Sequence, residues 1–249
     1  MSRNIKIFPS PIELAESLAL ELIDQIETAD TRNSLFTIAL SGGNTPKLLF
    51  SVLGDKFADS VNWLNVHFFW VDERCVPPDS NESNFNLASE NLFKKLVITP
   101  VNIHRIRGEN DPERETGRYS EELNDFTFKR NGLPFLNALL LGLGDDGHTA
   151  SIFPGDEHLF RSDRICAATV HPVTGQRRIT LTGNVINNAG HIIFLVTGRN
   201  KADIARKVID REDCDKLFPA QLVFPSYGKL SWYLDEEAGS LLRSLNKGK

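Results

Sequence analysis

The fold is decided by the stretch that reads Leu139-Leu140-Leu141-Gly142-Leu143-Gly144-Asp145-Asp146-Gly147-His148-Thr149-Ala150-Ser151-Ile152-Phe153-Pro154-Gly155. It begins as an apolar run that is too short to span a membrane but long enough for a buried strand. The run ends in a polar turn rich in glycine and aspartate, which is where open α/β sheets bind their ligands. In this turn, His148 is the only side chain that can both accept and donate a proton near neutral pH. We therefore expect a buried strand that leads to a ligand site with a candidate acid/base histidine.

A second stretch combines a strand, a glycine turn and the start of a helix. Residues 35–40 are apolar except for Thr37 and predict a buried strand, Ser41-Gly42-Gly43-Asn44 forms the turn, and Thr45-Pro46 opens the helix. Two glycines let backbone N–H groups approach an anion, and the helix dipole favours negative charge there. The sequence has neither the Lys-Ser/Thr pair of a Walker loop nor the third glycine of a dinucleotide fingerprint. The segment is therefore either a tight turn alone or a phosphate site of another kind.

Charged residues follow two further apolar runs. Residues 66–71 predict a strand, and Asp72-Glu73-Arg74 comes directly after it. These charges form either a solvated turn or an arginine aimed at a ligand phosphate, with a neighbouring carboxylate that orients the guanidinium. Residues 190–197 predict another buried strand, from which Gly198-Arg199-Asn200-Lys201 leads into a helix. Lys201 would lie at a helix N-terminus, against the dipole, and such a local conflict is typical of a functional position.

The order of these elements predicts the architecture. Strands that alternate with helices imply right-handed crossovers and an α/β fold, a doubly wound, mainly parallel sheet with helices on both faces (modified Rossmann-like). No linker rich in Ser, Gly or Pro divides residues 1–249, so we expect one domain. A capping box at Ser10 starts an amphipathic helix, and residues 81–84 start another. Residues 112–130 are highly charged and predict an exposed helix. His67 is expected in the core or on a strand face, and no partner is predicted for His104.

The composition argues against several classes of protein. The 249 residues are 41% hydrophobic, which is enough for a sizeable core, and the net charge of -5 gives no electrostatic footprint for nucleic acid. Cys75, Cys166 and Cys214 have unrelated spacings, which argues against a disulfide framework and against a zinc site. We find no signal-peptide pattern and no apolar run of membrane length, so we expect a cytoplasmic protein that does not bind membranes. The oligomeric state, monomer or small homo-oligomer, stays open.

Four segments resemble those of one family and occur in the same order. They are Leu40–Pro46, Phe69–Pro77, Gly142–Gly155 and Thr197–Lys201. Together they resemble the family of glucosamine-6-phosphate isomerases/deaminases and 6-phosphogluconolactonases over nearly the whole chain. The resemblance implies hydrolysis of 6-phospho-D-glucono-1,5-lactone to 6-phosphogluconate, in the pentose phosphate pathway. The partner is then a small sugar phosphate lactone, and the reaction requires no cofactor and no metal.

The resemblance also implies candidate site residues. His148 would be the general base that activates water and then protonates the leaving ring oxygen. Asp146 either orients this imidazole or only shapes the turn. The substrate-binding candidates are Ser41, Gly42, Gly43, Asn44, Thr45, Asp72, Arg74, Asn84, Arg178 and Lys201. Asn84 is either close to the substrate or only a helix cap, and Arg178 is either a substrate contact or a surface charge at a strand edge. Asn44 stands where many members have Ser or Thr.

Two other functions are weighed against the lactonase. A glucosamine-6-phosphate deaminase would use Asp72 as the base that moves a proton between C1 and C2. Arg74, where deaminases tend to have tyrosine, and the ending Thr149–Gly155, where they tend to have Asn-Glu-Pro, favour the lactonase. A non-catalytic sugar-phosphate sensing domain would be attached to a DNA-binding segment, and the sequence contains no helix-turn-helix pattern or basic arm.

Overall fold

The computed structural model describes residues 4–211 and 217–243. The strands of these residues are β1 (Asn4–Phe8), β2 (Phe36–Leu40), β3 (Val66–Trp70), β4 (Asp72–Arg74), β5 (Phe128–Arg130), β6 (Leu133–Phe135), β7 (Ala138–Leu141), β8 (Cys166–Val170), β9 (Arg177–Leu181), β10 (His191–Val196) and β11 (Lys229–Asp235). Their helices are α1 (Pro11–Thr31), α2 (Asn44–Lys56), α3 (Asn84–Asn91), α4 (Pro112–Phe126), α5 (Gly183–Ile186), α6 (Ala202–Asp210) and α7 (Glu236–Gly239), with short 3-10 turns between some of them.

Six strands form one parallel sheet in the order β1-β11-β10-β7-β2-β3. Every residue of β2, β3, β7 and β10 is buried, so both faces of the sheet are covered. The expected class, a mainly parallel and doubly wound α/β sheet with helices packed on it, is confirmed. The chain proceeds outward from β2 to β3 on one side and from β7 to β10 on the other. The switch point between β2 and β7 is where such sheets form a ligand crevice.

Helix α1 begins and packs as the sequence predicts. The hydroxyl of Ser10 accepts a hydrogen bond from the backbone N–H of Glu13 at 3.3 Å. Residues spaced by three or four along the helix are buried in the main hydrophobic core, among them Leu14, Leu18 and Leu22. The apolar stripe therefore fixes α1 against the sheet.

The charged segment 72–74 is a strand and not a turn. It forms β4, which pairs antiparallel with β9, and β9 pairs antiparallel with β8, in a separate three-stranded sheet. Strand β9 is the central strand of this second sheet, between β4 and β8. Three consecutive charged residues contain no apolar pattern, so local sequence did not predict that β4 continues beyond β3 as a paired strand.

Helix α4 is not simply exposed, as residues 112–130 predicted. Its Tyr119 is fully buried, and the tyrosine hydroxyl donates to the carbonyl of Trp70 at 2.9 Å and accepts from the backbone N–H of Trp70 at 2.8 Å. His67 is buried, as expected, and its Nδ1 lies 2.8 Å from Nε2 of His104. His104 also contacts Glu122 of α4 at 2.9 Å. Burial, with the neighbouring His104, lowers the pKa of His67.

Two further findings concern the described residues alone. None of their helices has the length and apolar content needed to cross a membrane. Cys75 and Cys166 are free thiols, and Cys214 lies outside the described residues.

Candidate active site

The carboxyl ends of the parallel strands open into a cavity of about 440 Å³. Its walls come from the turns after β2, β7 and β10 and from β4 and β9, so the predicted segments meet at one edge of the sheet. All ten substrate-binding candidates line this cavity together with His148: Ser41, Gly42, Gly43, Asn44, Thr45, Asp72, Arg74, Asn84, Arg178 and Lys201. Oδ1 of Asp146 contacts Nδ1 of the His148 imidazole.

The imidazole of His148 is held by its own turn. Oδ1 of Asp146 lies 2.5 Å from Nδ1 of His148 and also accepts the backbone N–H of His148 at 3.1 Å. An ionised carboxylate can only accept, so Nδ1 carries the proton and Nε2 is left for a ligand. Burial raises the pKa of Asp146, but the hydrogen bond to His148 and its charge outweigh this and bring the pKa to about 2. Asp146 therefore stays ionised and fixes both the tautomer and the direction of the ring.

Gly144 and Phe153 complete the surroundings of the ring. A Cβ atom at Gly144 would lie 2.1 Å from Nδ1 of His148, so no larger residue fits while the imidazole stays in place. The ring of Phe153 packs on the imidazole with 4.9 Å between centroids. The side chain of His148 keeps 29% exposure, which leaves it accessible from the cavity.

The turn after β2 presents free donors of helix α2. Gly43 is the N-cap residue with φ 105°, and no side chain caps the helix. The first residues of α2 line the cavity, and the first N–H groups of a helix have no partner within it. Gly42 packs so closely on Asn84 that a Cβ atom at Gly42 would lie 1.9 Å from Oδ1 of Asn84.

Asn84 belongs to the cavity wall. Its Nδ2 donates to the carbonyl of Asp72 at 2.9 Å. The cap of α3 is Ser83, whose hydroxyl accepts the N–H of Asn86 at 3.1 Å, so the alternative that Asn84 is only the cap is wrong. The carboxylate of Asp72 accepts from the hydroxyl of Ser151 at 2.6 Å, which joins β4 to the His148 segment.

Two arginines lie side by side on the second sheet. Arg74 of β4 and Arg178 of β9 are direct register partners. Arg178 is partly buried beside this like charge, and burial and the charge of Arg74 both lower the pKa of Arg178. Within the described residues, five buried side-chain N or O atoms lack a hydrogen-bond partner, and three of them belong to cavity residues: Nε of both arginines and Oγ of Ser41. An anion in the cavity would compensate these groups.

The carboxylate of Glu73, next to Arg74 in the sequence, is fully occupied by hydrogen-bond donors. Glu73 accepts the backbone N–H groups of Arg74, Asn84 and Phe85, each at 2.8 Å, and the hydroxyl of Ser83 at 3.0 Å. Burial raises the pKa of Glu73 even though these donors favour the charged form. Glu73 therefore fixes the N-terminus of α3 against β4. These hydrogen bonds go to backbone N–H groups and a hydroxyl, and not to the guanidinium of Arg74.

Sequence reasoning missed three contacts between segments. Asp145 pairs with Lys201 at 2.6 Å, the hydroxyls of Thr45 and Thr197 lie 2.7 Å apart, and Ser151 holds Asp72. All of these residues except Ser151 line the cavity. The partners are 56, 152 and 79 positions apart, so no local pattern connects them.

The fold and cavity define a class of protein: an α/β protein with a cationic cavity, and a histidine in it, at the carboxyl edge of a parallel sheet. The sequence model of the glucosamine-6-phosphate isomerases/6-phosphogluconolactonase family matches residues 9–232. The chain belongs to this family.

Relatives and solved structures agree with this assignment. The 6-phosphogluconolactonase of Treponema pallidum is 40% identical over 196 residues, which cover 79% of this chain and 81% of the relative. That of Haemophilus influenzae is 39% identical over 240 residues, which cover 96% of this chain and the whole relative. The structure of 6-phosphogluconolactonase from Trypanosoma brucei superposes with a TM-score of 0.84 at 28% identity, and the match covers 96% of this chain and 98% of that one.

Proposed function

We propose that this chain is an enzyme that hydrolyses 6-phospho-D-glucono-1,5-lactone to 6-phosphogluconate in the pentose phosphate pathway. One observation carries the proposal: His148 shares a cavity with the Gly42-Gly43 turn and with the cations Arg74, Arg178 and Lys201. Such a cavity suits a small substrate that has an anionic tail and a reactive carbonyl. The curated relatives that are named 6-phosphogluconolactonase and match most of the chain support the same reaction.

The phosphate would bind where backbone donors and cations meet. Gly42 and Gly43 offer backbone N–H groups at the uncapped start of α2, and the dipole of this helix favours an anion. Lys201 and Arg74 would supply the positive charge. The other proposed substrate contacts are Ser41, Asn44, Thr45, Asp72, Asn84 and Arg178, which line the same cavity.

His148 would act through Nε2. This nitrogen takes a proton from water as the water oxygen attacks the lactone carbonyl carbon. When the tetrahedral intermediate collapses, the bond between C1 and the ring oxygen breaks, and the ring oxygen takes the proton back from Nε2. Asp146 would stabilise the intermediate imidazolium, which the hydrogen bond of 2.5 Å and the low pKa of this aspartate support.

The test is a coupled assay in which a sugar-phosphate dehydrogenase produces the lactone and its disappearance is compared with spontaneous hydrolysis. We expect the wild-type protein to accelerate hydrolysis and His148→Ala to lose about 10²- to 10⁴-fold in kcat. His158→Ala, an exposed histidine in another segment, is the matched control and should retain activity. If His148→Ala hydrolysed the lactone at the wild-type rate, the catalytic role of His148 would be refuted. If the wild-type protein did not accelerate hydrolysis, the lactonase function would be refuted.

The deaminase alternative has its own readout. We expect no ammonia release from glucosamine 6-phosphate, because Arg74 and Thr149–Gly155 follow the lactonase pattern. Ammonia release that depends on Asp72 would instead favour the deaminase. Specific DNA binding in a gel shift would favour the sensing domain.

A further inference from the structure

Lys201 is already paired inside the cavity. Its Nζ donates to Oδ1 of Asp145 at 2.6 Å. The two residues come from the turns that follow β10 and β7, and both line the cavity. The Lys201 side chain is 22% exposed and that of Asp145 is 76% exposed, so the pair lies at the cavity mouth with the carboxylate on the solvent side.

This pair affects any anion that approaches Lys201. The carboxylate of Asp145 lies 2.6 Å from the ammonium of Lys201 and forms the same kind of charged hydrogen bond that a phosphate oxygen would form. Exposed ion pairs are weak, so a ligand with more negative charge displaces the carboxylate readily. Asp145 nevertheless remains tethered at the cavity rim, because the neighbouring Asp146 is fixed to His148 by two hydrogen bonds. Its charge therefore continues to repel a phosphate that is bound nearby.

We propose that Asp145 is an internal competitor for the phosphate subsite. It occupies Lys201 in the unliganded protein and lowers the affinity of the cavity for every phosphorylated ligand, product as well as substrate. Weak retention of a phosphorylated product would favour its release after each turnover. The inference rests on the proposed function in taking a phosphate monoester as the ligand, and it names Asp145 as a residue that sets affinity without touching the reacting atoms.

The direct test is calorimetric titration of the purified protein with inorganic phosphate and with 6-phosphogluconate. We expect Asp145→Asn to bind both about three- to tenfold more tightly, from the repulsion of one carboxylate about 6 Å from a dianion in screened water. Asp145→Glu keeps the charge and should behave as the wild type. Asp125→Asn changes the net charge equally at an exposed site on α4 and is the matched control. Lys201→Ala, alone or combined with Asp145→Asn, should weaken phosphate binding, because it removes the cation with which Asp145 pairs.

Two further readouts separate this role from a purely structural one. The difference between wild type and Asp145→Asn should shrink at high salt, because screening weakens the repulsion. In the lactone assay, the substitution should lower KM by a similar factor, and the change should fall on KM more than on kcat.

The outcomes are distinct. Equal binding by wild type and Asp145→Asn, or phosphate binding that does not depend on Lys201, would overturn the inference. Weaker binding by Asp145→Asn would also overturn it, because Asp145 would then hold Lys201 in place for the phosphate. A fall in kcat with unchanged KM would assign Asp145 to the His148 turn instead. Tighter phosphate binding in a protein that hydrolyses no lactone would refute the proposed function and leave this inference standing.

Discussion

His148 owes its position to residues of its own segment. Asp146 fixes the tautomer, Phe153 packs against the ring, and Gly144 leaves room beside Nδ1. All three lie within five positions of the histidine, so a short piece of sequence encodes most of the geometry of the proposed base. A small change in this segment therefore alters the direction of Nε2 without touching the cations across the cavity.

We expect Gly144→Ala to lower kcat by about 100-fold, because a shift of about 1 Å in a catalytic group has that scale of effect. The added Cβ would lie 2.1 Å from Nδ1 of His148, so the ring must turn away from Asp146. The measurement is kcat and KM in the lactone assay, with KM changing less because the phosphate contacts lie elsewhere.

Gly142→Ala is the control for this substitution. It lies in the same turn, and a Cβ atom there meets nothing within 4 Å, so the variant should unfold at the wild-type temperature. Wild-type kcat in Gly144→Ala would contradict the tight packing around the imidazole.

At the residue scale, the sequence predicted types of side chain better than their partners. His148, Arg74 and Lys201 each follow a segment that was predicted to be a buried strand, and the structure places all three in one cavity. The ion pair of Lys201 with Asp145 was not predicted, since nothing local distinguishes Asp145 from Asp146. A carboxylate next to Arg74 was predicted to orient its guanidinium, but the carboxylate of Glu73 accepts backbone N–H groups at the start of α3 instead.

At the scale of elements, helix α4 hydrogen-bonds the backbone at the end of the edge strand β3. An edge strand exposes unpaired backbone groups, and the hydroxyl of Tyr119 satisfies both the N–H and the carbonyl of Trp70. Trp70 is the last residue of β3, two positions before Asp72. One buried hydroxyl therefore fixes the strand end from which β4 and its arginine enter the cavity.

Tyr119→Phe should lower the free energy of unfolding by about 1–3 kcal/mol, because it leaves two buried backbone groups without a partner. Tyr227→Phe is the matched control: this side chain is 71% exposed, and its change should stay within about 0.5 kcal/mol. Urea unfolding curves of both variants provide the measurement. Equal stability of Tyr119→Phe and the wild type would show that another group replaces the hydroxyl.

Apolar runs predicted the long elements, and the structure confirms β2, β3, β7, β10 and α1. The short strand β4 and the buried face of α4 were not predicted, for the same physical reason. Both segments are dominated by charged residues, and their burial depends on distant partners such as β9 and Trp70. The spacing of apolar residues within one segment does not predict contacts with segments that are distant in sequence.

At the scale of the whole molecule, His191 joins the helix layer to two strands. This first residue of β10 contacts Gln25 of α1 through Nδ1 at 3.1 Å and Ser231 of β11 through Nε2 at 2.9 Å. Burial lowers its pKa to about 4, although Glu21 acts in the opposite direction. The imidazole is therefore neutral in the folded protein at neutral pH.

The stability of the protein should depend on pH through His191. Since the folded pKa of about 4 lies below the ordinary 6.5, the unfolded chain takes up a proton first as the pH falls. Stability from this residue is constant above about pH 6.5 and is lost between about 6.5 and 4, by up to about 3 kcal/mol. His191→Gln should flatten the profile of unfolding free energy in this window, and His158→Gln should not. Identical profiles for wild type and His191→Gln would contradict this.

The number of transitions in the unfolding curves tests how many domains the chain forms. We propose that the chain forms one domain, because β1 and β11, from near the two ends of the sequence, pair within a single sheet. One cooperative transition is then expected, and two separate transitions would contradict it.

The pairing of β1 with β11 also bears on biosynthesis. Residues 4–8 leave the ribosome before their partner, residues 229–235, which is made more than 200 positions later. At about 5–20 residues per second, β1 waits roughly 10 to 45 s for the strand that holds it. During translation the nascent chain therefore presents an incomplete sheet, in which the position between β1 and β10 stays empty until β11 emerges.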